Sequence, residues 1–185
     1  MRGYFGIGVE GITKARNVGS LVRSSHAFGA GFFFTIAPEV DVRRVRSSDT
    51  SDAFDHIPYY QYDSVAKLDL PQKCVLVGVE LCEDSIELPS FRHPTRAAYV
   101  MGPEMGSLSP ELMERCEYII KIPMKFCINV GVAGALVMYD RMLSRGRQDG
   151  GKFADRPIAA GGPVEPPPVH KPVPRRKIRS AKSDA

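Results

Sequence analysis

Val100-Met101-Gly102-Pro103-Glu104-Met105-Gly106-Ser107-Leu108-Ser109 runs an apolar strand into a turn rich in Gly and Pro, and Ile122-Pro123-Met124-Lys125-Phe126-Cys127-Ile128-Asn129-Val130-Gly131-Val132-Ala133 repeats the arrangement before feeding a helix. Strand, glycine turn and helix in that succession are how a parallel α/β sheet builds a pocket at its strand ends. Glu104 and Asn129 are the polar residues standing in the two turns. The spacing predicts strands over 96–101 and 118–123, with a short helix between them that opens on Ser109 as N-cap and Pro110 at its first position. It also predicts a long helix over 129–145. There Gly131, Ala133, Gly134 and Ala135 permit close packing, and Arg141 and Arg145 form a basic end that suits the helix dipole.

The same alternation extends towards the N-terminus. Asn17 to Gly29 reads as an amphipathic helix, apolar at 18, 21, 22 and 28, with Asn17 as N-cap and Gly29 as the closing glycine. Arg23 comes six residues after Asn17, near two turns, and is placed roughly below the capped end. Gly31 to Ala37 is an aromatic strand that belongs inside a sheet, and Lys73 to Glu80 is another buried strand. Residues 39–62 read as polar and irregular, 62–70 as a short helix and 81–94 as connector. Arg43, Arg44 and Arg46, beside serines and a threonine, suit phosphate contact as well as they suit a solvated loop. The class is therefore α/β, a sheet of about five or six parallel strands flanked by helices.

Gly6-Ile7-Gly8-Val9-Glu10-Gly11 matches the glycine fingerprint of dinucleotide sites. That fingerprint needs a full strand before it, a helix opening on it and an acid about 20 residues further on. Only Tyr4 and Phe5 offer a strand before it here, and positions 28–35 hold no acid. We read a glycine-tolerant strand over 4–9 and a turn, and rank a nicotinamide enzyme last.

Composition sets the frame. The chain has 185 residues and is 43% hydrophobic, enough for one domain with a proper core. No apolar run approaches the roughly 20 residues of a membrane helix, and the N-terminus carries Glu10 and no cleavage-like site, so a cytoplasmic protein is expected. Cys74, Cys82, Cys116 and Cys127 have no C-x-x-C pairing and His26, His56, His93 and His170 no H-x-x-x-H spacing, which points to free thiols and no metal. Residues 146–185 hold nine Lys/Arg and four Asp/Glu of the 25 and 21 in the chain, leaving 16 against 17 for residues 1–145. That segment also carries seven of the fifteen prolines, so it reads as a disordered basic tail with affinity for polyanions, following a single domain over 1–145.

Three ordered motifs carry a resemblance: N-x-G-x-x-x-R-x-x-x-x-F-G over 17–29, G-x-E with a following glycine and leucine over 102–108, and I-P-M then N-V-x-V-A over 122–133. Together they resemble the SpoU/TrmH-type RNA ribose 2′-O-methyltransferases of the SPOUT superfamily, over residues 3–145. The resemblance implies an α/β knot with a C-terminal trefoil, which general topology rules would not have suggested. It implies a homodimer, S-adenosylmethionine as cofactor between the turns after residues 78, 101 and 122, and an RNA substrate, tRNA favoured over rRNA. It assigns Arg23 to the reacting hydroxyl, Asn17 to orienting Arg23 or the nucleotide, and Glu104 and Asn129 to fixing the loops. Gly78, Met101, Gly102, Ile122, Cys127 and Ile128 would line the cofactor site. A guanidinium stays protonated in proteins, so positioning and charge stabilisation suit Arg23 better than proton removal. Where the family commonly writes S-L-N-V-S, this chain has Cys127-Ile128-Asn129-Val130-Gly131, without either serine, and the loop before it is about three residues short. A non-catalytic RNA-binding or assembly module that kept the fold is the alternative.

Overall fold

Strand β1 (Tyr4–Glu10) sits inside the sheet because both its faces are covered by apolar groups. Ile7 and Val9 join one core cluster, while Gly6 and Gly8 on the other face leave room for the rings of Phe32 and Phe34. A Cβ at either glycine would stand 2.3 Å from a ring carbon. The glycines of the apparent fingerprint are thus spent on packing between neighbouring strands.

The computed structural model describes residues 3–42, 45 and 53–148. Arg43, Arg44 and Arg46 lie outside the described residues, as does the tail expected over 146–185 from residue 149 onward, whereas 146–148 are not tail but the end of the last helix. The chain continues through α1 (Ala15–Ala27), β2 (Phe32–Ile36), α2 (Ala53–His56), β3 (Tyr59–Tyr62), β4 (Val75–Val79), β5 (Ile86–Glu87), β6 (Arg96–Met101), α3 (Pro110–Arg115), β7 (Tyr118–Lys121) and α4 (Val130–Gln148). Seven strands pair in the order β3-β2-β1-β6-β4-β7-β5, every pair parallel. Helices α1, α2 and α4 bury Val18, Leu21, Val22, Phe54, Val137 and Met138 on one face. On the other, α3 buries Leu112 with Leu108 and Cys116 against Phe34, Val100 and Ile119. The small residues of α4 act as their spacing predicts: a Cβ at Gly134 would come 2.5 Å from Leu21 of α1.

Five local expectations need correction. Residues 39–62 are not irregular throughout, because α2 and β3 lie there; β3 is a four-residue edge strand that adopts its form against β2, with Phe33 paired to Tyr59. The connector 81–94 holds β5 and a 3-10 turn over Leu88–Ser90, which brings the sheet to seven strands. The helix expected over 62–70 is a single 3-10 turn at Val65–Lys67, since Arg115 of α3 occupies the carbonyls of Val65 and Leu68. Asn17 is not the cap of α1: the helix begins at Ala15 after Lys14, with no side-chain cap of its own. Arg141 is no solvated dipole partner but is buried, donating to the carbonyls of Tyr4, Pro94 and Thr95 and to the Tyr99 hydroxyl.

Candidate active site

Because all strands run the same way, the chain leaves β4, β6 and β7 at one edge of the sheet, where such folds place ligands. The last residue of each of these strands and the one after it, Val79 and Glu80, Met101 and Gly102, and Lys121 and Ile122, line a common cavity of about 410 Å3. Lys14 and Asn17 from the start of α1, and Met124 to Val130 except Lys125 and Phe126, complete much of its wall. The volume suits a cofactor-sized molecule. At Gly102 a Cβ would lie 3.0 Å from the Leu108 nitrogen, so the loop after β6 folds back over its own beginning only because no side chain intervenes.

Glu104 ties this loop to α1. Its Oε2 accepts from the Thr13 N–H at 3.0 Å and the Thr13 hydroxyl at 2.9 Å, and its Oε1 from the Lys14 N–H at 3.1 Å and Asn17 Nδ2 at 2.7 Å. The carboxylate therefore supplies, from another loop, the anion that the start of α1 lacks. Burial alone would raise the Glu104 pKa. The Thr13 N–H, the Asn17 amide, Glu104's own N–H and the Thr13 hydroxyl more than offset this and hold it down at about 2. Asn17 passes the connection on, its Oδ1 accepting from Asn129 Nδ2 at 2.9 Å, and Asn129 Oδ1 accepts from the Gly131 N–H at 2.9 Å at the start of α4. Residues from three distant stretches of the chain thus form one hydrogen-bonded chain along the cavity.

Of the residues expected at the site, Asn17, Glu104, Asn129, Met101, Gly102, Ile122, Cys127 and Ile128 all line the cavity. Gly78 does not. It is buried one residue back in β4, where a Cβ would strike Ile119, Leu108 and Cys116, and Val79 and Glu80 take its place in the wall. Arg23 is also outside the lining, exposed, and without a hydrogen-bond or ion-pair partner among the described residues. Six residues at about 100° each turn it about 120° away from Asn17 around the helix, so the two face differently. At Gly131, where serine is the common residue of the motif, a Cβ would come 3.0 Å from the Ser20 Cβ and 3.1 Å from Asn129 Oδ1. A side chain there would press on Ser20 of α1, which would have to give way by a few tenths of an ångström.

Two acids escaped sequence reasoning. Glu10 is buried, with Oε1 accepting from the Ser109 hydroxyl at 2.6 Å and Oε2 from the Ser109 N–H at 2.8 Å. Glu80 accepts from Leu108 N–H at 2.8 Å and Leu81 N–H at 2.9 Å. An acid at the end of a buried strand, Glu10 closing β1 and Glu80 following β4, is the signal that could have found either. Among the described residues no three His, Cys, Asp or Glu side chains gather as a metal site would require, and no helix is long and apolar enough to cross a membrane. Cys116 is buried, its thiol pushed up to about 12 chiefly by that burial, whereas Cys127 is exposed at the cavity.

The model of the SpoU rRNA methylase family matches residues 5–139. The chain is 28% identical over 147 residues to 23S rRNA (guanosine-2′-O-)-methyltransferase RlmB of Bordetella pertussis, covering 74% of this chain and 58% of that one. It is 25% identical over 151 residues to a protein of Staphylococcus aureus (strain COL) described as of the TrmH family of tRNA/rRNA methyltransferases, covering 78% and 60%. The crystal structure of the SpoU methyltransferase AviRb from Streptomyces viridochromogenes superposes with a TM-score of 0.66 at 25% identity, over 80% of this chain and 61% of that one. The chain thus spans about 60% of the length of the curated relatives it matches.

Proposed function

The chain belongs to the SpoU rRNA methylase family, and from that premise we propose that it is an S-adenosylmethionine-dependent RNA methyltransferase acting on a ribose 2′-hydroxyl, in tRNA ahead of rRNA. The observation that carries the reading is the hydrogen-bonded sequence Glu104–Asn17–Asn129, which joins all three motifs along one cofactor-sized cavity at the strand ends. The wall fits the cofactor's chemistry: apolar Val79, Leu81, Met101 and Ile122 suit an adenine, and Glu80 and Lys121 offer opposite charges for its polar parts. S-adenosylmethionine, when bound, supplies a methyl group on a sulfonium.

The chain's own residues hold and orient. Glu104, Asn17 and Asn129 keep the two loops and α1 in register, so that the reacting groups meet at a fixed distance. Arg23, exposed on α1, contacts the RNA phosphate and stabilises charge near the 2′-oxygen. We extend the trefoil knot of the family to this chain, and a homodimer with it. Val132, Leu136 and Tyr139 recur along one side of α4 and are 51%, 40% and 42% exposed, an apolar stripe of the kind a second copy covers. None of Cys74, Cys82, Cys116 and Cys127 forms a disulfide, in keeping with a reducing cytoplasm.

The test is methyl transfer from labelled S-adenosylmethionine to bulk tRNA and rRNA by the purified chain, beside calorimetric binding of the cofactor. Arg23→Ala is expected to lose transfer and keep cofactor binding; full transfer by that variant would overturn the role of Arg23. RNA binding without cofactor binding or transfer would favour a non-catalytic assembly module.

A further inference from the structure

We propose that Glu80 recognises the ribose of the nucleoside-bearing donor, accepting hydrogen bonds from its vicinal hydroxyls; the inference rests on the cofactor reading of the cavity. Glu80 follows β4 directly, and its N–H donates to the Ile120 carbonyl of β7 at 2.9 Å, which fixes its backbone between two strands. Its half-buried carboxylate forms part of the cavity wall, and a Cβ on Gly102 would lie 3.6 Å from Oε2.

The decisive observation is the count of acceptor sites. An ionised carboxylate offers about four. All four at Glu104 are filled, two on each oxygen. Glu10 spends its carboxylate on Ser109 and does not line the cavity. Glu80 takes one backbone N–H on each oxygen, Leu81 on Oε1 and Leu108 on Oε2, and among the described residues it has no further donor. One acceptor site per oxygen is left, on a carboxylate whose orientation those two amides already determine. Two adjacent free acceptor sites on a fixed carboxylate match the paired O–H donors of a cis diol, and an acid after a parallel strand is a general means of holding a ribose. The other charged groups of the wall, Lys14 and Lys121, are donors only and cannot take this part, while Glu104 has no site left. The same Oε2 that holds Leu108 would hold the ribose, so Glu80 also couples recognition of the sugar to the placement of the loop after β6.

The test uses calorimetry on the full chain with three neutral or product-like probes: S-adenosylhomocysteine, its 2′-deoxy analogue, and 5′-methylthioadenosine, which keeps the ribose and carries no charged group. Loss of the 2′-hydroxyl is expected to weaken wild-type binding about tenfold or more, the range of one hydrogen bond to a charged group. Glu80→Gln is expected to weaken S-adenosylhomocysteine and 5′-methylthioadenosine alike, and to weaken the deoxy analogue far less, so that the two losses do not add. Equal weakening of the ribose and deoxyribose ligands would reduce Glu80 to a holder of the loop and overturn the proposal. So would a loss that disappears with 5′-methylthioadenosine, because Glu80 would then pair with the amino-acid portion. The wild-type ratio between ribose and deoxyribose ligands needs no variant, and a ratio near one overturns the proposal by itself. Failure of the wild type to bind any of the three would instead overturn the cofactor reading, and this inference with it.

Discussion

Glu104→Gln is the substitution that most directly examines how the cavity is held. The carboxylate has four donors, and a glutamine can keep those on one oxygen while its amide turns donors towards Thr13. The gap between the ordinary value of 4.5 and about 2 corresponds to about 3 kcal/mol at ~1.4 kcal/mol per pH unit. Water reaches this half-buried group, so we reduce the expected effect to about 1.5–2 kcal/mol. Because the folded pKa is depressed, the stabilisation is fully present above about 4.5 and is lost as pH falls through about 2. Urea denaturation of wild type and Glu104→Gln at one protein concentration should therefore give a gap of about 1.5–2 kcal/mol at pH 7, a melting difference of about 3–8 °C. The gap should shrink steadily between pH 4.5 and pH 2.5. A gap independent of pH, or one below about 0.5 kcal/mol at pH 7, would refute the argument that the loop is held by an ionised carboxylate.

Gly8→Ala should destabilise by about 2 kcal/mol or more through collision with the Phe34 ring, and Phe34→Leu should recover part of that loss in a chemical denaturation series. Asn17→Ala and Asn129→Ala share one hydrogen bond, so their combined effect on stability should fall short of the sum by about 1 kcal/mol in a double-mutant cycle. His93 is buried between Tyr99 and Asp140; burial lowers its pKa from 6.5, although the Asp140 hydrogen bond and charge oppose this. The unfolded chain then binds a proton at His93 below about 6.5 that the folded chain does not, so stability should decline as pH falls below that value, and His93→Gln should remove this share of the slope.

What the sequence made legible was what neighbouring residues decide among themselves. Ser109-Pro110 fixes the start of α3, and the Ser109 hydroxyl accepts from Leu112 N–H as a cap should. The apolar run 96–101 is β6 to the residue. Glu104 and Asn129 stood out as polar residues in apolar turns, and both line the cavity. What stayed hidden was decided by distant partners. Asn17 read as a cap because nothing nearby announced that Glu104, 87 residues away, would serve the start of α1. Edge strands β3 and β5 exist because β2 and β7 offer them a ladder, and their own four and two residues carry little pattern. Arg141 looked like a surface charge until the loop carbonyls around Thr95 and the hydroxyl of Tyr99 surrounded it.

The pairing of β1 with β6 sets Tyr4 against Arg96 and Val9 against Met101. A nascent chain therefore emits its first strand and must wait for more than ninety further residues before that strand finds its second neighbour. At about 5–20 residues per second the delay is several seconds, during which Phe32, Phe33 and Phe34 have only a partial sheet to cover them. The cavity comes later still: until Asn129 and Val130 have been made, one of its walls is missing, so a shorter chain carries only part of the site.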